Sequence, residues 1–395
     1  MDRITDNQKT LRGIRARRIW TMAENDPLID DGLLVLDSST SRIVDVGPFR
    51  AVKRTFHGEI TDLGPATLTP GVINAHTHLE LSHLQGRTVL GQGFDAWVRS
   101  LLALPMNDVR RDDFKTPIAQ LRGCETAHVA DLTSRHPDLV LQILEQEEIG
   151  FTLFVEFFGF PKKDPSRLIW PPKTPGRKKA NRICAAGHAL YSTHPQILQL
   201  AKSWDSRNNL PFNIHLAEHT GEIEFLATGR GGFADLLKNR LVPDTYVPPG
   251  VSPVVYADQL GLLDDCTLAV HCVHLTGDDI DILARTETNV CLCPRSNAGL
   301  GVGRAPWEAM MHRSIPLCLG TDSLASTSDL DLWKEAEFLL RDAQTGVSQH
   351  RIVSMLTRNP ARALGLEKDL GSIEPGKLAR WSTLPRWAHD LENTT

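Results

Sequence analysis

From residue 69 onward, short apolar segments alternate with longer segments that have helical periodicity. The apolar segments are four to six residues long, and most of them end in a polar residue or are followed by one, which is typical of parallel strands buried on both faces. Eight such segments occur, at residues 71–75, 128–132, 152–157, 182–187, 212–215, 268–271, 289–293 and 315–320. Strands that alternate with helices indicate a parallel α/β architecture. The sequence therefore predicts an α/β fold, a (β/α)8 TIM barrel.

The two ends of the chain have a different pattern. Residues 11–68 contain short extended segments separated by Asp, Ser, Thr and Gly, and a turn signal occurs at residues 371–376. Strands and turns of this kind favour a β-sheet. We predict one small β-sandwich domain built from residues 1–68 and 367–395, with the barrel formed by residues 69–366.

Composition excludes several classes of partner. The 395 residues are 41% hydrophobic and 23% charged with a net charge of −5, so neither nucleic acid nor an anionic membrane is an expected partner. Seven cysteines without a Cys-x-x-Cys pair indicate reduced core residues. The first ten residues are polar, and no run of about 18 apolar residues occurs. We expect a cytoplasmic protein.

Five polar side chains lie where candidate strands end. His76 and His78 follow the first strand, and residues i and i+2 of an extended chain point to the same side. His215 and His271 close the fifth and sixth strands, and Asp322 follows the eighth. Catalytic groups of a (β/α)8 barrel occupy the carboxyl ends of different strands. We therefore expect these side chains to meet at one site.

In combination, these segments resemble the amidohydrolase superfamily over nearly the whole chain. The matching segments are PGVINAHTH at 70–78, HLAE at 215–218, His271, GTDS at 320–323, NPARALG at 359–365 and GSIEPGK at 371–377. The resemblance implies one divalent metal ion held by His76, His78, His215 and Asp322. Zinc is favoured, and iron or manganese can use the same nitrogen and oxygen ligands. The resemblance also implies that Glu218 shuttles protons and that His271 orients water or substrate.

The residue types on the middle strands indicate how many ions the site would hold. Two-metal relatives generally need a bridging carboxylated lysine or an acidic residue there. The fourth strand, residues 182–187, contains no lysine, whereas Glu156 on the third strand could bridge in principle. We predict one ion and interpret Glu156 as a contact to the substrate or to a ligand side chain.

Within the superfamily, the chain is similar to deaminases and chlorohydrolases of aromatic rings. The supporting segments are HLELS at 78–82, HALYS at 188–192, PRSN at 294–297 and TDSLA at 321–325. The resemblance implies that His188 contacts the substrate and that the region of Trp97 lines the pocket. Together with Glu156, we predict His188, Trp97 and Asn297 as substrate-binding residues.

The predicted reaction is hydrolytic deamination of an adenine-type nucleoside, with a small-molecule substrate as the partner. Asp322 would accept a proton from water activated by the ion, and Glu218 would carry a proton to a ring nitrogen before ammonia leaves. Aminodeoxyfutalosine, a precursor in menaquinone biosynthesis, is favoured, with adenosylhomocysteine or methylthioadenosine next. The alternative is hydrolysis of another C–N or C–Cl bond, in guanine, cytosine, a formimino compound or a triazine. A degenerate barrel acting as a binding module is the non-enzymatic alternative, and a homodimer is compatible with the resemblance.

Overall fold

The computed structural model of the chain describes residues 10–25, 28–161, 165–171, 174, 182–238, 240–341, 343 and 346–389. The chain folds into two compact units. The first contains Met1–Ile73, Cys124–Ala127 and Gly346–Thr395, and the second contains Asn74–Gly123 and His128–Thr345. The predicted boundaries at residues 68 and 366 stay a prediction. Residues 1–9 and 390–395 of the predicted small domain lie outside the described part of the chain.

The described strands are β1 (Leu11–Trp20), β2 (Leu28–Asp37), β3 (Arg42–Pro48), β4 (Glu59–Asp62), β5 (Thr67–Pro70), β6 (Val72–Thr77), β7 (Thr126–Thr133), β8 (Gly150–Phe157), β9 (Ile183–Ala189), β10 (Phe212–Leu216), β11 (Thr267–His271), β12 (Asn289–Leu292), β13 (Leu317–Leu319) and β14 (Trp381–Thr383).

The described α-helices are α1 (Phe49–Val52), α2 (Phe94–Leu102), α3 (Lys115–Gly123), α4 (Pro137–Gln146), α5 (Pro195–Arg207), α6 (Thr220–Thr228), α7 (Gly232–Lys238), α8 (Pro253–Gln259), α9 (Gly277–Arg285), α10 (Pro294–Leu300), α11 (Trp307–His312), α12 (Leu332–Arg341), α13 (Gln349–Leu356), α14 (Arg358–Ala363) and α15 (Arg386–His389). Two 3-10 helices span Leu79–Leu84 and Arg111–Phe114. None of the helices in the described part of the chain has the length and apolar character that crossing a bilayer requires.

The first unit contains a sheet in the order β14-β5-β1-β2-β3, with β4 beside β1. Strand β14 pairs antiparallel with β5, so both chain ends contribute to one sheet, as predicted. Successive side chains of β2 point to opposite faces. Leu34 packs with Ile19 and Ile43 in one apolar cluster, whereas Leu33 packs with Phe56 in another. Apolar packing on both faces stabilises this sheet.

The second sheet confirms the predicted barrel. Its strands follow chain order from β6 to β13, and every pair from β7 to β13 is parallel. A parallel bridge between Thr77 and Asp322 joins the two ends of the sheet and closes the barrel. All eight predicted segments coincide with β6–β13. Strands β10 and β12 are buried along their whole length, as expected when a barrel interior and a helical layer cover both faces.

The connection from β10 to β11 is longer than a single helix needs, which is already visible in the sequence. It contains three helices, α6, α7 and α8. The cysteines are free thiols, and five of the seven are buried. Cys124 is partly buried and Cys266 is exposed, so these two are not core residues.

Candidate active site

The predicted polar side chains meet where the barrel strands end. His76 is the fifth residue of β6 and His78 follows that strand directly, while His215 lies in β10 and His271 ends β11. Asp322 follows β13 by three residues. All five side chains are buried. The structure therefore brings together residues from four strands that are distant in sequence, as expected for a barrel.

Three imidazoles and one carboxylate form a compact cluster. The His78 Nε2 and His215 Nε2 atoms are 3.4 Å apart. The Asp322 Oδ1 atom lies 3.8 Å from His76 Nε2 and 3.8 Å from His78 Nε2. Two atoms bound to one tetrahedral zinc at about 2.0–2.1 Å are about 3.4 Å apart. The three imidazoles have ligand atoms within 4.8 Å of one another, and the Asp322 carboxylate lies beside two of them, an arrangement that is compatible with a small cation.

The hydrogen bonding and protonation of His76 independently fit a metal ligand. Neither ring nitrogen of His76 has a hydrogen-bond partner among the described residues, although the side chain is fully buried. Buried polar atoms normally have a partner. Burial holds the pKa of His76 well below its usual value, so the imidazole is neutral and keeps a lone pair. A neutral imidazole beside a carboxylate is suited to zinc.

Hydrogen bonds orient two of the other predicted ligands, His215 and Asp322. The His215 Nδ1 atom lies 2.9 Å from the His188 carbonyl oxygen, which can only accept a hydrogen bond. The hydrogen of His215 is therefore on Nδ1, and Nε2 faces the cluster with its lone pair. Asp322 Oδ2 accepts hydrogen bonds from Ser296 at 2.7 Å and from Ser326 at 3.1 Å. Such contacts orient metal ligands.

The backbone at these strand ends adopts left-handed conformations. Ala217, His271, Cys272 and Asp322 have φ angles of 52°, 72°, 48° and 58°. Non-glycine residues rarely adopt positive φ, and such strain concentrates at functional sites. Gly320 allows β13 to approach His76, because a Cβ atom there would lie 2.7 Å from His76 Cβ. The unusual backbone at the ends of β10, β11 and β13 thus determines the direction of the side chains that these segments present to the site.

Glu218, the predicted proton shuttle, lies beside His271. Its Oε1 atom lies 3.5 Å from His271 Nε2, and its side chain is buried. Burial, followed by the charges of Asp322 and Glu222, raises the pKa of Glu218 well above its usual value. His271 Nδ1 lies 2.9 Å from Asn297 Oδ1. With Asn297 accepting, His271 Nε2 is left as the acceptor that faces a protonated Glu218.

Asn297 therefore lies behind His271 and not among the residues that line the cavity around the cluster. The sequence predicted that Asn297 contacts the substrate, because the position of the start of α10 relative to His271 cannot be read from the sequence. The other three predicted substrate residues, Glu156, His188 and Trp97, do line that cavity.

Glu156 lies near the Nδ1 atoms of His78 and His215, whereas the Nε2 atoms of these two rings face each other. Its Oε2 atom is 3.9 Å from His78 Nδ1, and its Oε1 atom is 3.8 Å from His215 Nδ1. Burial, followed by the charges of Glu80, Asp131 and Asp322, raises the pKa of Glu156 well above its usual value. Glu156, His188 and His215 also have ligand atoms within 4.8 Å of one another. The predicted number of ions, one, stays a prediction.

Sequence reasoning missed three buried carboxylates that hold backbone near the site. Glu222 accepts hydrogen bonds from the backbone N–H groups of Ala217 at 3.1 Å and Glu218 at 2.9 Å. Glu80 accepts from residues 133–136, and Asp131 accepts from Leu79 N at 2.7 Å. Asp131 lies near the end of an apolar strand, the same signal that identified Asp322. The HLELS segment contained Glu80 but did not reveal what it binds.

The cavity around the cluster has a volume of about 490 Å³, within the usual range for a small-molecule site. Side chains carried by or following strands form what we call the ion end: His78, Glu156, His215, Glu218, His271 and Asp322. Apolar side chains from α2 and α7 form what we call the helical wall: Phe94, Trp97, Val98, Leu101, Leu102, Phe233, Leu236 and Leu237. Trp97 is anchored by a hydrogen bond from Nε1 to the Ala325 carbonyl oxygen at 2.9 Å.

Comparisons with known proteins show the family to which the chain belongs. The Amidohydrolase family model matches residues 67–384. A 5-methylthioadenosine/S-adenosylhomocysteine deaminase of Moorella thermoacetica is 28% identical over 372 residues, which are 89% of this chain and 81% of that protein. An aminodeoxyfutalosine deaminase of Deinococcus radiodurans is 26% identical over 334 residues, 80% of this chain and 77% of that protein.

A solved structure shows the same fold. The crystal structure of an adenosine deaminase from Xanthomonas campestris with bound zinc superposes with a TM-score of 0.77 at 23% sequence identity. The match covers 97% of this chain and 86% of that chain. The barrel, the strand-end cluster and the family match over most of the chain lead to one conclusion. The chain belongs to the amidohydrolase family, whose enzymes are hydrolases, and acts on C–N bonds as its sequence predicted.

Proposed function

We propose that this enzyme deaminates an adenine-type nucleoside by hydrolysis and that aminodeoxyfutalosine, in menaquinone biosynthesis, is its favoured substrate. Adenosylhomocysteine and methylthioadenosine are the next candidates. The relatives from Moorella thermoacetica and Deinococcus radiodurans, named as deaminases of these compounds, support this choice. They favour a nucleoside over the guanine, cytosine, formimino and triazine alternatives.

One observation carries the proposal. A buried carboxyl group with a raised pKa, that of Glu218, lies 3.5 Å from His271 and beside the His76, His78, His215 and Asp322 cluster. Hydrolytic deamination of a purine needs a group that gives a proton to a ring nitrogen at neutral pH. A solvated glutamate is ionised at that pH, whereas the buried Glu218 is able to keep its proton.

His76, His78, His215 and Asp322 would hold one divalent ion, with zinc favoured and iron or manganese as alternatives. When bound, the ion would supply Lewis acidity and lower the pKa of a water molecule towards about 7. The zinc in the Xanthomonas campestris structure supports the choice of metal.

The chain's own residues then have separate tasks. Asp322 Oδ2 accepts hydrogen bonds from Ser296 and Ser326, and Oδ1 accepts one from the backbone N–H of Ser323, so this oriented carboxylate is proposed to accept a proton from water. Glu218 gives its proton to the ring nitrogen, so that the adjacent carbon becomes electrophilic and water adds to it. The proton that Asp322 took from water passes to the exocyclic amine, which leaves as ammonia, and the added hydroxyl returns a proton to Glu218 as the carbonyl forms. Each positioned proton transfer contributes about 10²–10⁴-fold to the rate.

The remaining site residues position these groups. Asn297 orients His271 through the 2.9 Å contact between Oδ1 and Nδ1. His188 and Glu156 are proposed to contact the base or ribose, since both line the cavity next to the ion end. Trp97 is proposed to contact the 5′ substituent. We expect a small-molecule substrate as the partner and a cytoplasmic location, and a homodimer is compatible with the proposal.

A coupled ammonia assay tests the proposal. The purified enzyme, loaded with zinc, is given aminodeoxyfutalosine, adenosylhomocysteine, methylthioadenosine and adenosine. Guanine and a chlorotriazine are the comparison substrates, and chloride release is measured in place of ammonia for the chlorotriazine. We expect ammonia from the nucleosides, fastest from aminodeoxyfutalosine. Turnover of guanine or the triazine alone would overturn the proposal.

A further inference from the structure

Two arginines line the cavity in addition to the ion end and the helical wall. Arg135 and Arg240 are both exposed, so they lie at the cavity's opening, whereas the ion end is buried. We call them the mouth arginines. They are the only lysine or arginine residues that line this cavity in the described part of the chain.

The backbone of Arg135 is held in place by Glu80. The Glu80 carboxylate accepts hydrogen bonds from the backbone N–H groups of Ser134 at 2.8 Å, Arg135 at 3.1 Å and His136 at 3.0 Å. The guanidinium of Arg135 donates to Asn107 Oδ1 at 3.0 Å. Arg135 is therefore a positioned cation, even though its side chain is exposed.

Arg240 follows the helix that supplies part of the helical wall. Its N–H donates to the Leu237 carbonyl oxygen at 3.1 Å, which ties it to the end of α7. Leu237 and Leu241 line the same cavity on either side of it in sequence. The charge of Arg240 is thus next to apolar side chains, where an aromatic group with an anionic end would be accommodated.

Carboxylates of the described residues leave the charges of the mouth arginines without an ion-pair partner. Neither guanidinium forms an ion pair with a carboxylate among the described residues. The carboxylate of Glu80 is occupied by its hydrogen bonds to residues 133–136, and the other carboxylates that line the cavity belong to the ion end. Arginine binds carboxylates in a planar, bidentate geometry. An anion from the substrate would complete this arrangement.

We infer that Arg135 and Arg240 bind the carboxylate of an aryl carboxylate carried on the 5′ side of the nucleoside, with the aryl ring against the helical wall. This inference rests on the proposed function and specifies its substrate class. Aminodeoxyfutalosine carries an aryl carboxylate, adenosylhomocysteine ends in a zwitterionic amino acid and methylthioadenosine ends in a methyl group. Among the described residues that line the cavity, the only carboxylate outside the ion end is Glu80, and it is occupied by its hydrogen bonds to residues 133–136, which disfavours the ammonium group of the zwitterion.

The first experiment measures kcat and KM of Arg135→Ala, Arg240→Ala and the double variant with the three nucleosides. A charge-assisted hydrogen bond is worth about 1.5–3 kcal/mol, or roughly 10–100-fold. Each single variant should raise KM for aminodeoxyfutalosine by about 10-fold, the lower limit expected at an exposed position. KM for methylthioadenosine should change by less than about 2-fold. Equal changes for all three nucleosides, or no change for the aryl carboxylate, would overturn the inference.

Arg207→Ala serves as the matched control, because Arg207 is an exposed arginine at the end of α5 and does not line the cavity. It should leave every KM unchanged. A change in Arg207→Ala equal to that in the mouth variants would show a general charge effect and would also overturn the inference.

Binding separates this inference from the proposed reaction. Calorimetric titration of Glu218→Gln, with and without the arginine substitutions, measures Kd for the same nucleosides without turnover. Tighter binding of the aryl carboxylate that is lost with the arginines supports the inference, even if the ammonia assay fails. Binding that does not depend on Arg135 or Arg240 would overturn it, even if the ammonia assay succeeds.

Discussion

The ion end and the helical wall of the cavity are built from different parts of the chain. Residues of the ion end lie in or follow barrel strands and are buried, and five pairs of them have atoms 3.4–3.9 Å apart. The helical wall comes from α2 and α7, which lie in the connections that follow β6 and β10. The strands thus fix the chemistry, while the helices between them shape the substrate space. This division agrees with the general placement of function on loops held by a rigid barrel.

Substitution of His76 tests the proposed ion site beside the ion end most severely. His76→Ala removes one ligand of the proposed ion, so purified protein should contain less than about 0.1 ion per chain and lose more than about 10³-fold in turnover. Metal content by mass spectrometry and the ammonia assay measure both effects. His312→Ala, an exposed histidine at the end of α11, is the control and should retain both. Stoichiometric metal in His76→Ala would contradict the ligand assignment.

Substitution of Glu218 separates proton transfer from metal binding. Glu218→Gln keeps the size of the side chain but removes its proton-transfer capacity, so kcat should fall by about 10²–10⁴-fold. Metal content should stay at the wild-type level, since Glu218 is not a proposed ligand. Normal turnover in a fully loaded variant would exclude Glu218 from the mechanism.

Glu222 tests whether the ion end depends on its backbone supports. Glu222→Gln keeps one acceptor oxygen but places an NH2 group against one of the two N–H groups at residues 217 and 218, which misplaces Glu218. Loss of such a supporting contact typically costs about 10–100-fold, and we expect about 10-fold in kcat with KM unchanged. Glu224→Gln, an exposed position on the same helix, is the matched control. A normal kcat in Glu222→Gln, or an equal loss in the control, would refute this role.

The smallest effect is expected at the helical wall. Trp97→Phe removes the hydrogen bond to the Ala325 carbonyl and part of the apolar surface, so KM should rise by about 3–10-fold for nucleosides with a 5′ extension. Metal content and kcat should remain unchanged. Steady-state kinetics with methylthioadenosine and aminodeoxyfutalosine measure the effect. A loss of kcat instead of a rise in KM would show that the wall and the ion end are not separate.

The division between strands and helices also explains what could be predicted from the sequence. The barrel followed from local patterns, because a strand buried on both faces must be short and apolar, and its carboxyl end places a polar residue such as His215 or Asp322 at a common rim. The supporting contacts did not follow. Glu80 holds residues 133–136 and Asn297 holds His271, and both contacts depend on how segments more than 25 residues apart are placed in space. The helical wall was predicted only at Trp97, from resemblance, because apolar periodicity does not tell a core face from a cavity face.

Diffraction data from crystals of zinc-loaded enzyme, collected on both sides of the zinc absorption edge, test the central claim most directly. We expect one anomalous peak, bounded by the His76, His78 and His215 imidazoles and the Asp322 carboxylate. A second peak between Glu156, His188 and His215, or a peak outside the His76 cluster, would contradict it.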